Sequence, residues 1–305
     1  MGRDFRNEFS WSVTRAKLFE FCLRKYYWNY YGYWDGWNPE APETARLAYR
    51  LKKISSLPLW TGDIVHRAVA EALKRISRYQ HADAKRMKAW ARDTLNREWF
   101  QSRDEKWREN AKHNLNLMEH YYQRPITTER REQLRDTVFR CLDNFFEGDY
   151  FREANELGVG RWKTVEELKT FQLDDLTVFV QLDFAFERGD DGLVIVDWKS
   201  GKFTPEKDAE QLSCYALFAV QEWRIPPERI HLAGVYLNEN RAKEWVADPT
   251  ALIALREKIY QSAAQMRERL DDPAENAASL GAFPQTEDEW KCADCPFLEL
   301  CDNRK

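Results

Sequence analysis

The chain has 305 residues, 43% of them hydrophobic, enough for a core in one large domain or two ordinary ones. No run of about 18 apolar residues occurs, which argues against a membrane span. The N-terminus MGRDFRNEFSW lacks an apolar signal core. A cytoplasmic location is therefore expected, and there the six cysteines should be reduced unless they hold a metal. The net charge of −4 is unevenly spread. Residues 1–60 carry ten Lys/Arg against six Asp/Glu, residues 74–140 seventeen against ten, and residues 141–305 nineteen against thirty-three. A basic half beside an acidic half suits a surface for a polyanion near a site that needs carboxylates, although solvated helix faces explain the charge alone equally well. Thirteen Trp and thirteen Tyr can stack on unpaired bases, but such residues are more often core.

In chain order, Ser10 to Tyr31 reads as a helix capped by Ser12 or Ser10, with Ala16, Leu18, Phe19 and Phe21–Cys22 near helical spacing. Residues 32–60 hold Gly32, Gly36, Pro39, Pro42 and Pro58 and look irregular. Residues 61–79 form an amphipathic helix whose stripe runs Ile64, Val65, Ala68, Val69, Ala72, Leu73 and Ile76. Residues 82–150 continue as polar, mostly helical sequence without a strand signal. The pattern then changes to period two, predicting strands at Lys163–Leu173, Leu176–Glu187 and Leu193–Trp198, with the turn Arg188–Gly192 between the last two. Thr204 caps a helix to about Trp223, Ile230–Leu237 is another strand, and Asp248 caps a helix to about Leu270. This divides the chain into an N-terminal segment 1–60, a helical subdomain 61–160, an α/β core 161–270 and a cysteine-rich tail 271–305.

The chemistry centres on Val194-Ile-Val-Asp197-Trp-Lys199. Side chains i and i+2 share a face of a strand, so Asp197 and Lys199 point the same way at the end of an apolar run. With the hairpin centred on Asp190, residue pairs sum to 380, which sets Asp183 across from Asp197. Directly opposed Cβ atoms lie about 4.5–5.5 Å apart, and two carboxylates that close repel unless a cation such as Mg²⁺ or Mn²⁺ neutralises them. The set then predicts phosphodiester chemistry: Asp183 and Asp197 hold the metal, Lys199 positions or deprotonates water and stabilises phosphate charge, and the Trp198 carbonyl completes the shell. The competing reading is a solvated hairpin, which leaves unexplained why charges punctuate otherwise apolar strands. His66, at the edge of its helix's apolar stripe, fits as an additional ligand. Either Glu166 or Glu167 could add a carboxylate, and alternation allows only one of them to face the site. Gln211 and Tyr215 lie one helical turn apart and offer polar groups and a ring to a nucleic-acid strand.

Cys292-Ala-Asp-Cys295 followed by Cys301 is a strong soft-metal signal that needs a fourth ligand, for which Cys22 is the best candidate. The spacing suits iron–sulphur and zinc about equally. Cys141 and Cys214 sit in apolar surroundings and read as core thiols.

As an ordered set these residues resemble the RecB-like family of the PD-(D/E)xK nuclease superfamily, in its iron–sulphur branch with CRISPR-associated single-strand exonucleases and AddB-type nuclease domains. The likeness spans nearly the whole chain: the Ser12-to-Cys22 helix, His66, Asp183, Asp197-Trp-Lys199, Gln211-x-x-x-Tyr215 and the three-cysteine tail. It implies an α/β fold with a restriction-endonuclease-like mixed central sheet flanked by helices, a helical insertion, and a metal-cluster region joining the two ends of the chain. It implies His66, Asp183, Asp197 and Lys199 as the catalytic set, Gln211 and Tyr215 as substrate-side residues, and a structural [4Fe–4S] cluster on Cys22, Cys292, Cys295 and Cys301. Where the family often has Gly two residues before the first Asp, this chain has Gln181. The expected function is a Mg²⁺- or Mn²⁺-dependent DNA exonuclease acting on single strands or ends. The alternative is a catalytically silent nucleic-acid-binding or assembly subunit. No G-x-x-x-x-G-K-[ST] loop occurs, so a helicase partner is expected if long duplexes are processed, within repair, CRISPR or anti-phage defence.

Overall fold

The N-terminal segment enters through Trp11, whose backbone N–H and C=O bond to Thr177 O and Phe179 N, each at 2.8 Å. Residues 6–301 are described by the computed structural model. Helix α1 (Val13–Phe21) follows, its first turn capped by the Ser12 hydroxyl, which accepts from Arg15 N. The single helix expected from Ser10 to Tyr31 is instead broken. Cys22 is extended (φ −162°, ψ 114°), and its sulphur caps a second short helix, α2 (Leu23–Tyr27), which runs into a π-helical turn, Trp28–Gly32. The region read as irregular also contains a helix, α3 (Glu43–Lys52), entered from Pro42 and followed by the two-residue strand β1 (Ile54–Ser55). Gly36 allows the preceding loop to lie on α3, since a Cβ there would sit 2.1 Å from Ala45 O.

Of the next five helices, α4 (Leu57–Ser77), α5 (Ala84–Arg103), α7 (Thr128–Glu147) and α8 (Asp149–Leu157) form one layer, whereas the short α6 (Met118–Tyr121) packs through Met118 against Trp28, Leu51 and Phe297. A second two-residue strand, β2 (Asn116–Leu117), pairs with β1. The stripe Ile64, Val65, Ala68, Val69, Ala72 and Leu73 of α4 is fully buried, as its spacing predicts, and shares one core with Leu134, Val138 and Phe145 of α7.

The sheet contains β3 (Trp162–Leu173), β4 (Leu176–Glu187), β5 (Leu193–Lys199), β6 (Ile230–Tyr236) and β7 (Arg241–Val246), in that spatial order. All neighbours are antiparallel except β5 and β6, which are joined by the crossover helix α9 (Pro205–Glu222). Helix α10 (Pro249–Arg267), capped by Asp248, packs with α9. The arrangement is a mixed five-stranded sheet between two helical layers, the restriction-endonuclease-like fold. On one face Phe184, Phe186, Val194, Val196 and Trp198 meet the α4–α7 layer. On the other, Val178, Val180, Leu193 and Ile195 meet α1, α9 and α10. Strand β7 was not predicted. Its sequence RAKEWV lacks apolar alternation because it is the sheet's exposed edge, where charged side chains are favoured.

At one end of the sheet, Arg188 bonds both Glu153 of α8 and Glu244 of β7, while Glu244 also accepts from Tyr150 (2.8 Å) and lies 2.9 Å from His231 Nδ1. Burial pushes the Glu244 carboxyl up, but the bonds from Arg188 and Tyr150 outweigh it and hold the group at about 2, below its ordinary 4.5. Its contribution to stability is therefore present above pH 4.5 and lost as pH falls toward 2. Glu244→Gln should cost about 1–2 kcal/mol at neutral pH. Thermal melts from pH 7 to pH 2 should show the gap to wild type closing across that window.

Candidate metal and nuclease site

The site lies where the sheet divides. The later half of β4 pairs with β5 through Phe184↔Val196 to Glu187↔Leu193, a register summing to 380, so the next step sets Asp183 against Asp197. The earlier part of the same edge is taken by Trp11, opposite Val178. Between the two pairings a cleft of about 370 Å³ opens, with Ser12, Val13 and Thr14 at one lip and Gln181, Asp183, Asp197 and Lys199 within. Helix α4 comes close to the end of β5 at Gly62, where a Cβ would be 3.1 Å from Ser200 Oγ. One turn on, His66 reaches the cleft.

One half of the site is His66, Glu166 and Asp183, whose donor atoms all lie within 4.8 Å of one another. His66 Nδ1 is 3.3 Å from Glu166 Oε1 and 3.4 Å from Asp183 Oδ2. Asp183 Oδ2 also accepts the Trp198 backbone N–H at 2.8 Å, so it ties β5 to β4 as the strands part. Burial alone would strip the proton from His66, but the Asp183 and Glu166 carboxylates outweigh it and raise its pKa well above 6.5. Its proton thus stands as a counter-charge between two acids. Glu166 stands level with Asp183, between the pairs Val165↔Phe184 and Glu167↔Leu182, and adopts φ 48°. A non-glycine residue there costs about 1 kcal/mol or more. Glu167 turns away to Lys169, so of the two acids it is Glu166 that faces the site. Gln181 bonds the other Glu166 oxygen at 3.2 Å.

The other half is built on Asp197, only 1% exposed. Its Oδ2 is 2.6 Å from Lys199 Nζ and its Oδ1 accepts from Gln211 at 3.2 Å. Gln211 accepts from Lys199 Nζ at 3.0 Å and donates to the Tyr215 hydroxyl, joining the acid, the lysine and the phenol in one chain. Tyr215 is buried, yet with Gln211 it lines the cleft beside the acid–lysine pair. Asp208, absent from the sequence reading, lies 3.8 Å from Lys199 and accepts from Tyr236 OH at 2.7 Å. Its signal was available: Asp208, Gln211 and Tyr215 follow one helical face. Burial lowers the Lys199 pKa, but Asp197 more than compensates and the net shift is upward. Burial and then Asp183 push the Asp197 carboxyl up to about 7, with Lys199 opposing them.

Far from this cleft, Cys22, Cys292, Cys295 and Cys301 line one pocket of about 270 Å³ together with Arg24, Lys25 and Lys291. The tail is held by the segment after α6: Arg124 bonds Asp294 (2.9 Å) and Ala293 O (2.6 Å), and Tyr122 bonds Pro296 O (3.0 Å). Cys141 and Cys214 lie in the core, where burial pushes each thiol up to about 12.

A family model described as the PD-(D/E)XK nuclease superfamily matches residues 10–302. The chain belongs to the PD-(D/E)XK nuclease superfamily. No curated protein matches it. Membership implies a metal-dependent nuclease acting on DNA, and Mg²⁺ or Mn²⁺ is the type of ion such nucleases use. The imidazole and carboxylates gathered here are donors that such an ion accepts. Among the described residues of this nuclease, no helix is long and apolar enough to cross a membrane.

The raised Asp197 pKa carries a stability cost. The folded nuclease holds this proton more tightly than the unfolded chain, so stability falls as pH rises from 3.8 to about 7 and stays reduced above that. In EDTA, Asp197→Asn should melt above wild type at pH 8 by several degrees, with the difference shrinking toward pH 4. Equal pH dependence of the two proteins would refute this.

Proposed function

We propose that this nuclease removes nucleotides from single-stranded DNA or from DNA ends, with Asp183, Asp197, Lys199 and His66 as its catalytic set. The observation that carries the reading is the convergence of His66, Glu166 and Asp183 opposite the Asp197–Lys199 pair, inside one cleft. A magnesium or manganese ion held by His66, Asp183 and Asp197, with Glu166 and the Trp198 carbonyl as further donors, would supply Lewis acidity at the scissile phosphate. Lys199, kept cationic by Asp197, orients the attacking water and offsets charge on the phosphate; its raised pKa makes it a poor base. Gln211 and Tyr215 hold Asp197 and Lys199 in place by hydrogen bonds, and because both line the cleft they also stand on the substrate side. The single-strand preference follows the RecB-like resemblance. Long duplexes would need a separate helicase, in repair, CRISPR adaptation or anti-phage defence.

The test uses anaerobically purified protein, Mn²⁺, and end-labelled single- and double-stranded DNA. Progressive shortening of the single strand is expected, with Asp197→Ala and Lys199→Ala each slowing it by at least about 10²-fold. Activity surviving in both variants would overturn the site. Binding without cleavage in every divalent metal would instead assign a silent scaffold.

The three tail thiols and that of Cys22 we read as ligands of a structural [4Fe–4S] cluster. The pocket lining sets Arg24, Lys25 and Lys291 against Glu287 and Glu289, a surround that suits anionic thiolates, and the choice of iron–sulphur over zinc follows the RecB-like resemblance. The anaerobic protein should be brown, absorbing near ~400 nm, and Cys22→Ser should lose both colour and thermal stability. A colourless, zinc-loaded protein would reverse this assignment.

A further inference from the structure

The α4–α7 layer encloses a second pocket, of about 250 Å³, on the side away from the sheet. Trp60 of α4, Arg92 and Trp99 of α5, and Arg131 and Arg135 of α7 line it. The Trp60 and Trp99 rings are 6.4 Å apart, and the Arg131 guanidinium lies 4.3 Å over Trp99. Arg92 lies 5.4 Å over Phe139. Among the described residues neither Arg92 nor Arg131 has a carboxylate partner, and Arg135 is bonded to its neighbour Asp136. Glu132 is the acid on the wall. The contrast with α4 is informative. There the surface arginines are paired at i, i+4, Arg67 with Asp63 and Arg75 with Glu71. A solvated helix face looks like that; this pocket does not.

The pocket also receives the first turns of α7, whose N-terminus is capped by Thr127 and adds partial positive charge. Flat rings stacked with guanidinium, unpaired cations and a helix N-terminus together suit a base joined to a phosphate. The pocket is mechanically tied to the cleft. Glu98 accepts from Trp60 Nε1 at 2.7 Å and from both terminal nitrogens of Arg67 at 2.7 and 2.8 Å. Arg67 follows His66 and lines a shallow hollow with Glu166 and Gln181 that continues from the cleft.

We propose that this pocket binds one nucleotide unit of a single DNA strand, the base on the Trp99–Arg131 stack and the phosphate on Arg92, Arg131 and Arg135, anchoring the strand apart from the cleft. The inference rests on the nuclease reading only for the source of the strand. The same chemistry could come from a free nucleotide, so the test separates the two. Binding is measured on the full chain in EDTA, where no cleavage occurs, by anisotropy of a labelled single-stranded 25-mer (about the span of several stacking sites), and by competition with dAMP. Arg92→Ala/Arg131→Ala should weaken 25-mer binding at least about 10-fold and lower the salt slope by about 1.4, at roughly 0.7 per lost phosphate contact. Trp99→Ala should weaken it likewise, and Trp99→Phe should restore most of it. Unchanged affinity and slope in folded variants, checked by circular dichroism, would overturn the proposal. So would dAMP binding that the variants abolish while the 25-mer stays unaffected, which would assign the pocket to a free nucleotide. A wild type that binds through this pocket yet cleaves nothing with Mn²⁺ would sink the nuclease reading and leave this one standing.

Discussion

Asp183 and Asp197 face each other at the point where β4 and β5 separate, and both are almost wholly buried. Like charges in such a place repel, and burial disfavours each ionised form further. Nothing in the apolar packing around them relieves this. The surrounding polar groups are therefore arranged to manage two buried carboxylates: the His66 proton on one side, Lys199 on the other, the Trp198 N–H in between. A divalent cation would relieve the same repulsion more completely, which is why a stable fold retains so unfavourable a pair. Natural proteins accept such local instability where function requires it.

The rest of the architecture holds that pair open to a substrate. A sheet that continued pairing along β4 would bury Asp183 beneath another strand. Instead β5 takes one part of the edge and Trp11 the other, and the unpaired stretch between becomes the cleft. Backbone groups left without a ladder partner are tolerated where side chains or solvent satisfy them. Helix α9 covers the site from one face with Gln211 and Tyr215, and α4 closes it from the other with His66.

The strands and their register were readable because their chemistry is local. Val194–Val196 and Phe184–Phe186 alternate against apolar layers on both faces, and the Arg188–Gly192 turn leaves few registers to choose from. Helix α4 was readable for the same reason. What was not readable depended on distant partners. Alternation could not choose between Glu166 and Glu167 because Glu166 departs from strand geometry, with its left-handed φ, where alternation no longer holds. The break at Cys22 is invisible in periodicity, since α1 and α2 both present helical patterns; it goes with the Cys22 sulphur capping α2 and with tertiary packing around Arg15. Strand β7 hid behind its charged edge, and α3 behind the proline-rich run before it. Asp208 was legible by helical spacing but lacked a motif to draw attention to it.

That packing around Arg15 links the N-terminal segment, which lines the cleft, to the segment leading into the cysteine tail. Arg15 is buried and, among the described residues, has no carboxylate partner. Its nitrogens bond Tyr26 OH, Tyr31 OH and Ser10 O, each at 2.9 Å, and its guanidinium lies 4.3 Å over Tyr30. An isolated buried cation is costly, so these phenols and rings must be held in place to solvate it. Phe283, from the segment leading into the cysteine tail, packs against Tyr26, Tyr27 and Tyr31 and holds them. Ser12–Thr14, the lip of the cleft, is the turn immediately before Arg15. The lip, the tyrosine cage and Phe283 are thus one packed unit.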